Sequence, residues 1–147
     1  MKTSLIPSFT TLLDYASRYL PEDKYEHSLR VMLLIMRNNR IPAQIHDECI
    51  VVAIAHDLLE DSGLTSVNMP SLDKDIWNAL NMLAHNKSQK TYVEYIMDIT
   101  EASKKYKYGE IAHWVKLADM KDHLMQKNTL TDELKAKYMN AIPYLIP

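Results

Sequence analysis

Residues 49–55 of the chain read CIVVAIA, a run that is apolar on every side. A helix that is apolar all round lies in the middle of its domain, so this run predicts the central element of the fold. The run contains enough β-branched residues to imitate a buried strand. Its flanks extend it to about residues 43–59, and no partner strand is evident, so a helix is favoured. Pro42 opens this helix, and the turn residues at 61–63 end it.

The composition favours an all-α fold. The chain has 147 residues and only two glycines. Because hairpin turns and phosphate-binding loops consume glycine, this content leaves almost no room for a β-rich fold, a Rossmann turn or a P-loop. The length is that of one domain, 1–147. We therefore expect a compact single-domain bundle of about seven helices.

Apolar residues at helical spacing predict the remaining helices on both sides of the central one. We expect Ser8 to cap the first helix, Pro21 to end it, and Thr131 to cap the last one. The predicted helices span about 9–19, 22–38, 43–59, 72–84, 91–104 and 109–125, with a final one beginning near 131.

Charge and cysteine content exclude several function classes. The formal net charge is −2 and no basic stripe dominates, which argues against a dedicated nucleic-acid binder. The single cysteine, Cys49, excludes a disulfide framework and favours a buried thiol. No stretch approaches the ~20 apolar residues that span a bilayer, and the first residues lack the apolar segment of a signal peptide. We expect a cytoplasmic protein without a membrane partner; its oligomeric state stays open.

The central helix ends in a polar cluster, which reads HDLLED at residues 56–61. Burying an imidazole and several carboxylates is costly unless a divalent cation compensates for it. His27 and Asp119 interrupt the apolar faces of two other predicted helices. Two imidazoles and two carboxylates suit Mn²⁺, Fe²⁺ or Zn²⁺ better than Ca²⁺. Such a set leaves coordination positions for water and a phosphate oxygen, as metal-activated hydrolysis requires.

Three motifs together resemble the HD superfamily of metal-dependent phosphohydrolases. They are His27-Ser28, the His56-Asp57 doublet, and Asp119 at the end of Val-Lys-Leu-Ala-Asp. Within the superfamily, the chain looks most like the small alarmone hydrolases and the hydrolase domains of RelA/SpoT-type proteins. Those proteins carry a His-Asp-x-x-Glu-Asp block, which residues 56–61 match. The resemblance covers about residues 24–126, the motif-bearing core of a single HD-type domain.

The resemblance implies a helical fold, usually with Mn²⁺, and removal of the 3′-diphosphate from guanosine tetraphosphate or pentaphosphate. It implies four metal ligands: His27, His56, Asp57 and Asp119. It also implies that Glu60 and Asp61 orient and deprotonate the attacking water. The physical interpretation agrees, because a general base one turn past the ligands can reach that water.

The resemblance is less direct at the substrate. The family commonly has Asn four residues after the last metal aspartate, where it contacts the ribose, and here that position is His123. Positions i and i+4 share a helix face, so we expect His123 to face the pocket and to contact a sugar hydroxyl or a phosphate. The candidate phosphate-binding residues are Lys24, Lys116 and Lys87, with Lys90 as an alternative to Lys87 on the same polar segment.

Two other functions remain open at the sequence level. One is a nucleoside 5′-monophosphatase or another HD hydrolase, which the change to His123 makes more plausible. The other is a non-catalytic helical binding module with a structural metal. Glu60 and Asp61 argue against the second alternative, because a structural site does not need a further pair of acids beside its ligands.

Overall fold

The structure is a computed structural model that describes residues 1–65, 67–69 and 71–146, and all of its regular elements are helical. The expected all-α fold is confirmed, with seven α-helices of ten or more residues in the described part of the chain. A 3-10 turn at Thr3–Leu5 precedes α1 (Ile6–Tyr19), α2 (Glu22–Arg37), α3 (Ala43–Ile54), α4 (Leu58–Ser62), α5 (Lys74–Leu83), α6 (Tyr92–Ser103), α7 (Lys107–Met125) and α8 (Asp132–Leu145). None of these helices combines the length and the apolar character needed to cross a bilayer.

Two helices occupy the centre of the bundle. Every residue of α3 from Glu48 to Ile54 is buried, so the central position predicted for residues 49–55 is confirmed. α3 packs against α1, α2, α5 and α7. The 19-residue α7 packs against α2, α3, α5, α6 and α8. Because α7 contacts helices on several sides, it buries polar as well as apolar residues: Asp119, as the sequence pattern indicated, and also Lys116 and Asp122.

The predicted helix 43–59 is wrong in one respect, because it is broken in two. α3 ends at Ile54, and the short α4 begins at Leu58. In a continuous helix the Ala53 carbonyl would accept a hydrogen bond from the amide four residues later. Here it accepts one from His56 Nδ1 at 2.7 Å. The His56 side chain thus adds a short bond to a carbonyl that otherwise meets only a long one of 3.5 Å from the His56 amide and one from the Ala55 amide, and the His-Asp doublet lies in the turn between α3 and α4.

The helix ends confirm one predicted cap and correct another. Ser8 does not cap α1, because the chain enters that helix at Ile6 directly from the 3-10 turn. Thr131 caps α8 as predicted, its hydroxyl accepting a hydrogen bond from the amide three residues on. Asp73 caps α5, and Thr91 forms a capping box with Glu94 at the start of α6. With these N-caps, α5, α6 and α8 begin within about two residues of their predicted starts.

Glycine is required at two places in the helical framework. Gly63 ends α4 with a φ of 72°, in the left-handed region. Gly109 lies where α7 crosses α6 closely: a Cβ atom added there would come within 2.3 Å of the backbone carbonyl carbon and oxygen of Ala102. The close approach fixes α7 against α6, and α7 carries much of the candidate site.

Candidate metal centre

The four predicted metal ligands converge from three elements of the fold. His27 lies on α2, His56 and Asp57 lie in the turn between α3 and α4, and Asp119 lies on α7. One ligand atom from each residue lies within 4.8 Å of the corresponding atoms of the others. Asp57 is half-buried and the other three are buried. This group could therefore hold a metal ion.

The distances among the ligand atoms fit a single cation. The Nε2 atoms of His27 and His56 are 3.2 Å apart, and they lie 2.8 and 3.2 Å from Oδ1 of Asp119. Oδ2 of Asp57 lies 3.4 Å from His56 Nε2 and 3.7 Å from His27 Nε2. Ligands placed ~2.1 Å from an ion are roughly 3.0–3.4 Å apart at octahedral or tetrahedral angles. The donor types, and most of the spacings, are thus compatible with one bound metal ion.

Hydrogen bonds on the far side of each imidazole determine which nitrogen faces the centre. His27 Nδ1 donates to Asp122 Oδ2 at 2.6 Å, and His56 Nδ1 donates to the Ala53 carbonyl at 2.7 Å. Because a carboxylate and a carbonyl only accept hydrogen bonds, each Nδ1 carries a proton, so Nε2 is the nitrogen that offers a lone pair when the ring is neutral. Both Nε2 atoms are directed at an oxygen of Asp119, which is also an acceptor. A cation satisfies such a set of acceptors.

Asp119 lies among several basic side chains in a buried environment. Lys116 Nζ lies 2.6 Å from Asp119 Oδ2, and both side chains are buried. Burial raises the pKa of Asp119, but the Lys116 ammonium and the surrounding imidazoles hold it well below its usual range. Burial lowers the pKa of His56, but the carboxylates of Asp57 and Asp119 raise it to about 9. The centre therefore favours positive charge.

Asp122 supports the centre and was missed at the sequence level. It is buried, and besides the bond from His27 it accepts one from Arg30 Nε at 3.0 Å. Burial raises the pKa of Asp122, but the hydrogen bonds from Arg30 and His27 outweigh this and lower it. A carboxylate behind a ligand histidine is a common partner in metal sites. Helical spacing could have indicated Asp122 as a site residue, because it is three residues after Asp119 and shares its helix face.

A cavity of about 750 Å³ opens beside the metal centre and brings the other predicted site residues together. All four predicted substrate-binding residues line it, as do both predicted catalytic acids: Lys24, Lys87, Lys116, His123, Glu60 and Asp61. Lys90 is not among the residues lining this cavity and pairs with Asp98 instead. Of the two lysines on the polar segment, Lys87 is therefore the one placed for a ligand in this cavity.

The two acids stand one turn beyond the metal ligands. Glu60, Asp61 and Asp57 each place a carboxylate oxygen within 4.8 Å of the other two. Glu60 Oε1 accepts a hydrogen bond from the His85 amide at 3.1 Å, which fixes that carboxylate. Asp61 Oδ2 lies 3.7 Å from Lys24 Nζ. Burial and the Asp57 charge raise the pKa of Asp61, although Lys24 opposes them, so this carboxylate has an increased affinity for a proton.

His123 faces the cavity, on the same side of α7 as Asp119. Its Nε2 lies 3.3 Å from Asp119 Oδ1. The ring packs between His27 and Tyr138, with centroid distances of 4.3 and 5.1 Å. His123 is therefore held by contacts on both faces while part of its side chain remains exposed to the cavity.

Part of the cavity wall is aromatic and cationic, and sequence reasoning did not find it. Lys137 of α8 lies over Tyr92 of α6, with Nζ 4.4 Å from the ring centroid. Burial and the charges of Lys87 and Lys116 lower the pKa of Lys137. The Tyr92 hydroxyl is buried and has no hydrogen-bond partner within the described part of the chain. No sequence motif connects α8 with the metal ligands, so only the packing of α8 against α6 and α7 reveals this wall.

Comparisons with protein-family models, curated proteins and solved structures found no significant match to this chain. The resemblance to the HD superfamily therefore rests on the motifs quoted above and stays a prediction. The geometry of the metal centre stands independently of that resemblance.

Proposed function

We propose that this protein is a metal-dependent phosphohydrolase that removes the 3′-diphosphate from guanosine tetraphosphate or pentaphosphate, or hydrolyses a similar nucleotide. One observation carries the proposal. Four convergent ligand atoms lie at the edge of a large cavity that also holds two further carboxylates and several lysines. The guanosine substrate comes from the resemblance to the alarmone hydrolases, and the reaction class comes from the side chains.

The donor set suits Mn²⁺, Fe²⁺ or Zn²⁺, and the resemblance to the HD superfamily favours Mn²⁺ among them. His27, His56, Asp57 and Asp119 would hold the ion. When bound, a divalent cation polarises a phosphoryl oxygen and lowers the pKa of water.

Glu60 and Asp61 supply the proton-accepting groups. The raised pKa of Asp61 favours it as the base that takes the proton of the attacking water. Glu60 is oriented by the His85 amide and positions that water. Asp61 Oδ2 lies 3.7 Å from Lys24 Nζ. When Asp61 takes up the proton it loses its negative charge, and Lys24 can then shift towards a phosphate.

The lysines of the cavity favour a substrate with more than one phosphate group. Lys116 is committed to Asp119, so its main role is to position that ligand. Lys24, Lys87 and Lys137 remain to neutralise phosphate oxygens. Tyr92 lines the same cavity beneath Lys137. A monophosphate would use only part of this positive charge.

The decisive experiment is a substrate panel on protein purified without chelator and loaded with Mn²⁺. We expect pyrophosphate release from guanosine tetraphosphate, and little phosphate release from a set of deoxynucleoside monophosphates. Phosphate released only from the monophosphates would replace this proposal with a nucleoside monophosphatase. If the protein turned over neither class of substrate, both the alarmone hydrolase and the monophosphatase proposals would be contradicted.

The substitution Asp61→Asn separates a catalytic centre from a structural metal site. It should lower kcat by about 10²–10⁴-fold, the usual contribution of a positioned general base. The Mn²⁺ content and the thermal midpoint should stay close to those of the unmodified protein. Asp14→Asn, at an exposed aspartate of α1, is the matched control. It should leave kcat, the Mn²⁺ content and the thermal midpoint unchanged. If Asp61→Asn retained full activity, or if chelation unfolded the chain, the metal would be structural.

A further inference from the structure

A second cavity, of about 710 Å³, lies on the other side of α7. Lys116 and Asp119 of this helix line the first cavity, whereas Trp114, Leu117 and Lys121 line the second. At 100° per residue these two sets point to opposite sides of the helix. None of the residues that line the first cavity also lines the second, so the second cavity is separate from the metal centre.

The walls of the second cavity are mainly apolar and come from three helices. Leu34 belongs to α2, Trp114 and Leu124 to α7, and Ile142 to α8. Small-molecule sites typically measure roughly 300–1,000 Å³ and have an apolar lining with a few polar groups. The second cavity has both properties.

The polar groups of this cavity carry positive charge. Arg37, Arg40 and Lys121 line it, and among the residues that the structure describes no Asp or Glu does. Within residues 1–65, 67–69 and 71–146, none of the three has a carboxylate oxygen within 4.0 Å. The chain as a whole has a formal net charge of −2, so three cations without an acid are a local excess. Guanidinium groups match a carboxylate in geometry as well as in charge.

The turn that carries Arg40 is fixed before any ligand arrives. The Asn38 side-chain oxygen accepts a hydrogen bond from the Arg40 amide at 3.0 Å. The Ile35 carbonyl near the end of α2 accepts two hydrogen bonds, one from the Asn38 amide at 3.1 Å and one from His46 Nε2 at 2.9 Å. Ile41 is buried and anchors the turn from the other side. The backbone of this part of the rim is therefore held in place, while the side chains of Arg37 and Arg40 are exposed and can turn towards a ligand.

We propose that this cavity binds a small amphipathic anion, an apolar chain that ends in a single carboxylate. The apolar part lies among Leu34, Trp114 and Ile142, and the carboxylate meets the cations of the rim. A neutral apolar ligand would leave those cations without a partner, and a compact polar anion would leave the apolar walls exposed to water. This site does not depend on the proposed phosphohydrolase activity.

Titration with decanoate, below the concentration at which it forms micelles, tests the proposal. In the variant Trp77→Phe the fluorescence reports on Trp114 alone, and equilibrium dialysis of the unmodified protein gives the stoichiometry. We expect a saturable change with one decanoate per chain. Decanol, which has no charge, should bind about tenfold more weakly, as the loss of one charge-assisted hydrogen bond predicts.

Variants of the rim separate specific binding from simple partitioning. The double variant Arg40→Gln/Lys121→Gln should weaken decanoate binding by about tenfold or more and leave decanol binding unchanged. Lys104→Gln, at an exposed lysine outside the cavity, is the control and should change neither. Non-saturable binding, or equal binding of decanoate and decanol, would overturn the proposal. A concentration-dependent dimer that covers Trp114 would also overturn it, because a second copy would then occupy this face.

Discussion

The carboxylate of Asp122 accepts a hydrogen bond of 2.6 Å from His27 Nδ1 and thereby directs His27 Nε2 towards Asp119. Arg30 holds the same carboxylate from its other side. The ligand geometry of α2 and α7 is thus set by a buried contact between the two helices behind the metal centre. A ligand imidazole with a fixed tautomer binds a cation without first having to reorient.

Replacing Asp122 should therefore weaken metal binding. In Asp122→Leu we expect the affinity for Mn²⁺ to fall by about 10–100-fold, the usual effect of losing such a supporting carboxylate. Asp122→Asn keeps an acceptor and should show a smaller fall. Isothermal titration calorimetry measures both, with Asp14→Asn as the control. Unchanged affinity in Asp122→Leu would show that the carboxylate does not position His27.

Lys116 should stabilise the metal-free protein, because it neutralises a buried carboxylate. Removing one partner of a buried ion pair costs about 3–5 kcal/mol. Lys116→Met should lower the free energy of unfolding by about that amount in chelator, and Mn²⁺ should restore part of the loss by replacing the missing positive charge at Asp119. Urea unfolding with and without Mn²⁺ is the measurement.

Lys104→Met is the matched control for Lys116→Met, because Lys104 is exposed and pairs with Glu101 at the surface. Its effect should stay within about 0.5 kcal/mol, as for most surface substitutions. If both variants behaved alike, the Lys116–Asp119 pair would not contribute to stability.

Gly109 should tolerate no side chain. A Cβ atom there would lie 2.3 Å from backbone atoms of Ala102, which cannot turn away as a flexible side chain would. Gly109→Ala should destabilise the fold by about 3 kcal/mol or more, at the upper end of the cost of overpacking. In Gly63→Ala the new Cβ atom has open space, and the left-handed backbone conformation should lower the free energy of unfolding by about 1–2 kcal/mol. Chemical unfolding compares the two, and an equal cost would show that α6 and α7 can separate freely.

Cys49 should be unreactive in the folded protein. The thiol is fully buried, and burial, together with the charges of Glu48 and Glu110, raises its pKa. Because the thiolate is the reactive form, a disulfide reagent such as Ellman's at pH 8 should label the native chain far more slowly than the chain in guanidinium. Rapid labelling of the native protein would show that α3 opens readily.

The sequence pattern was most informative where one physical effect dominates. Hydrophobic burial alone determines the position of residues 49–55, and the cap at Thr131 follows from local hydrogen bonding. The pattern did not predict the break after Ile54, because no Gly or Pro marks it. That break depends on a bond from His56 Nδ1 to the Ala53 carbonyl, which replaces a backbone bond of equal type.

The residues of the candidate site also fall into two groups, those that the sequence could indicate and those that it could not. His27, His56, Asp57 and Asp119 could be chosen from the sequence because each interrupts an apolar face or the end of one, which is costly without a compensating partner. Asp122 lay on the same helix face and could have been chosen as well. Lys137 and the tyrosines of the cavity wall could not, because their relation to the metal ligands depends on how α6 and α8 pack.

By itself, the sequence determined that the chain is helical, which segment lies at its centre, and which side chains are too polar for their apolar surroundings. These properties follow from local spacing and from the cost of burying polar groups. Only the tertiary structure decided which of those side chains meet, which nitrogen of each imidazole faces the centre, and which lysines share the cavity. Those relations depend on the packing of helices distant in sequence, where a shift of an ångström separates a ligand set from unrelated residues.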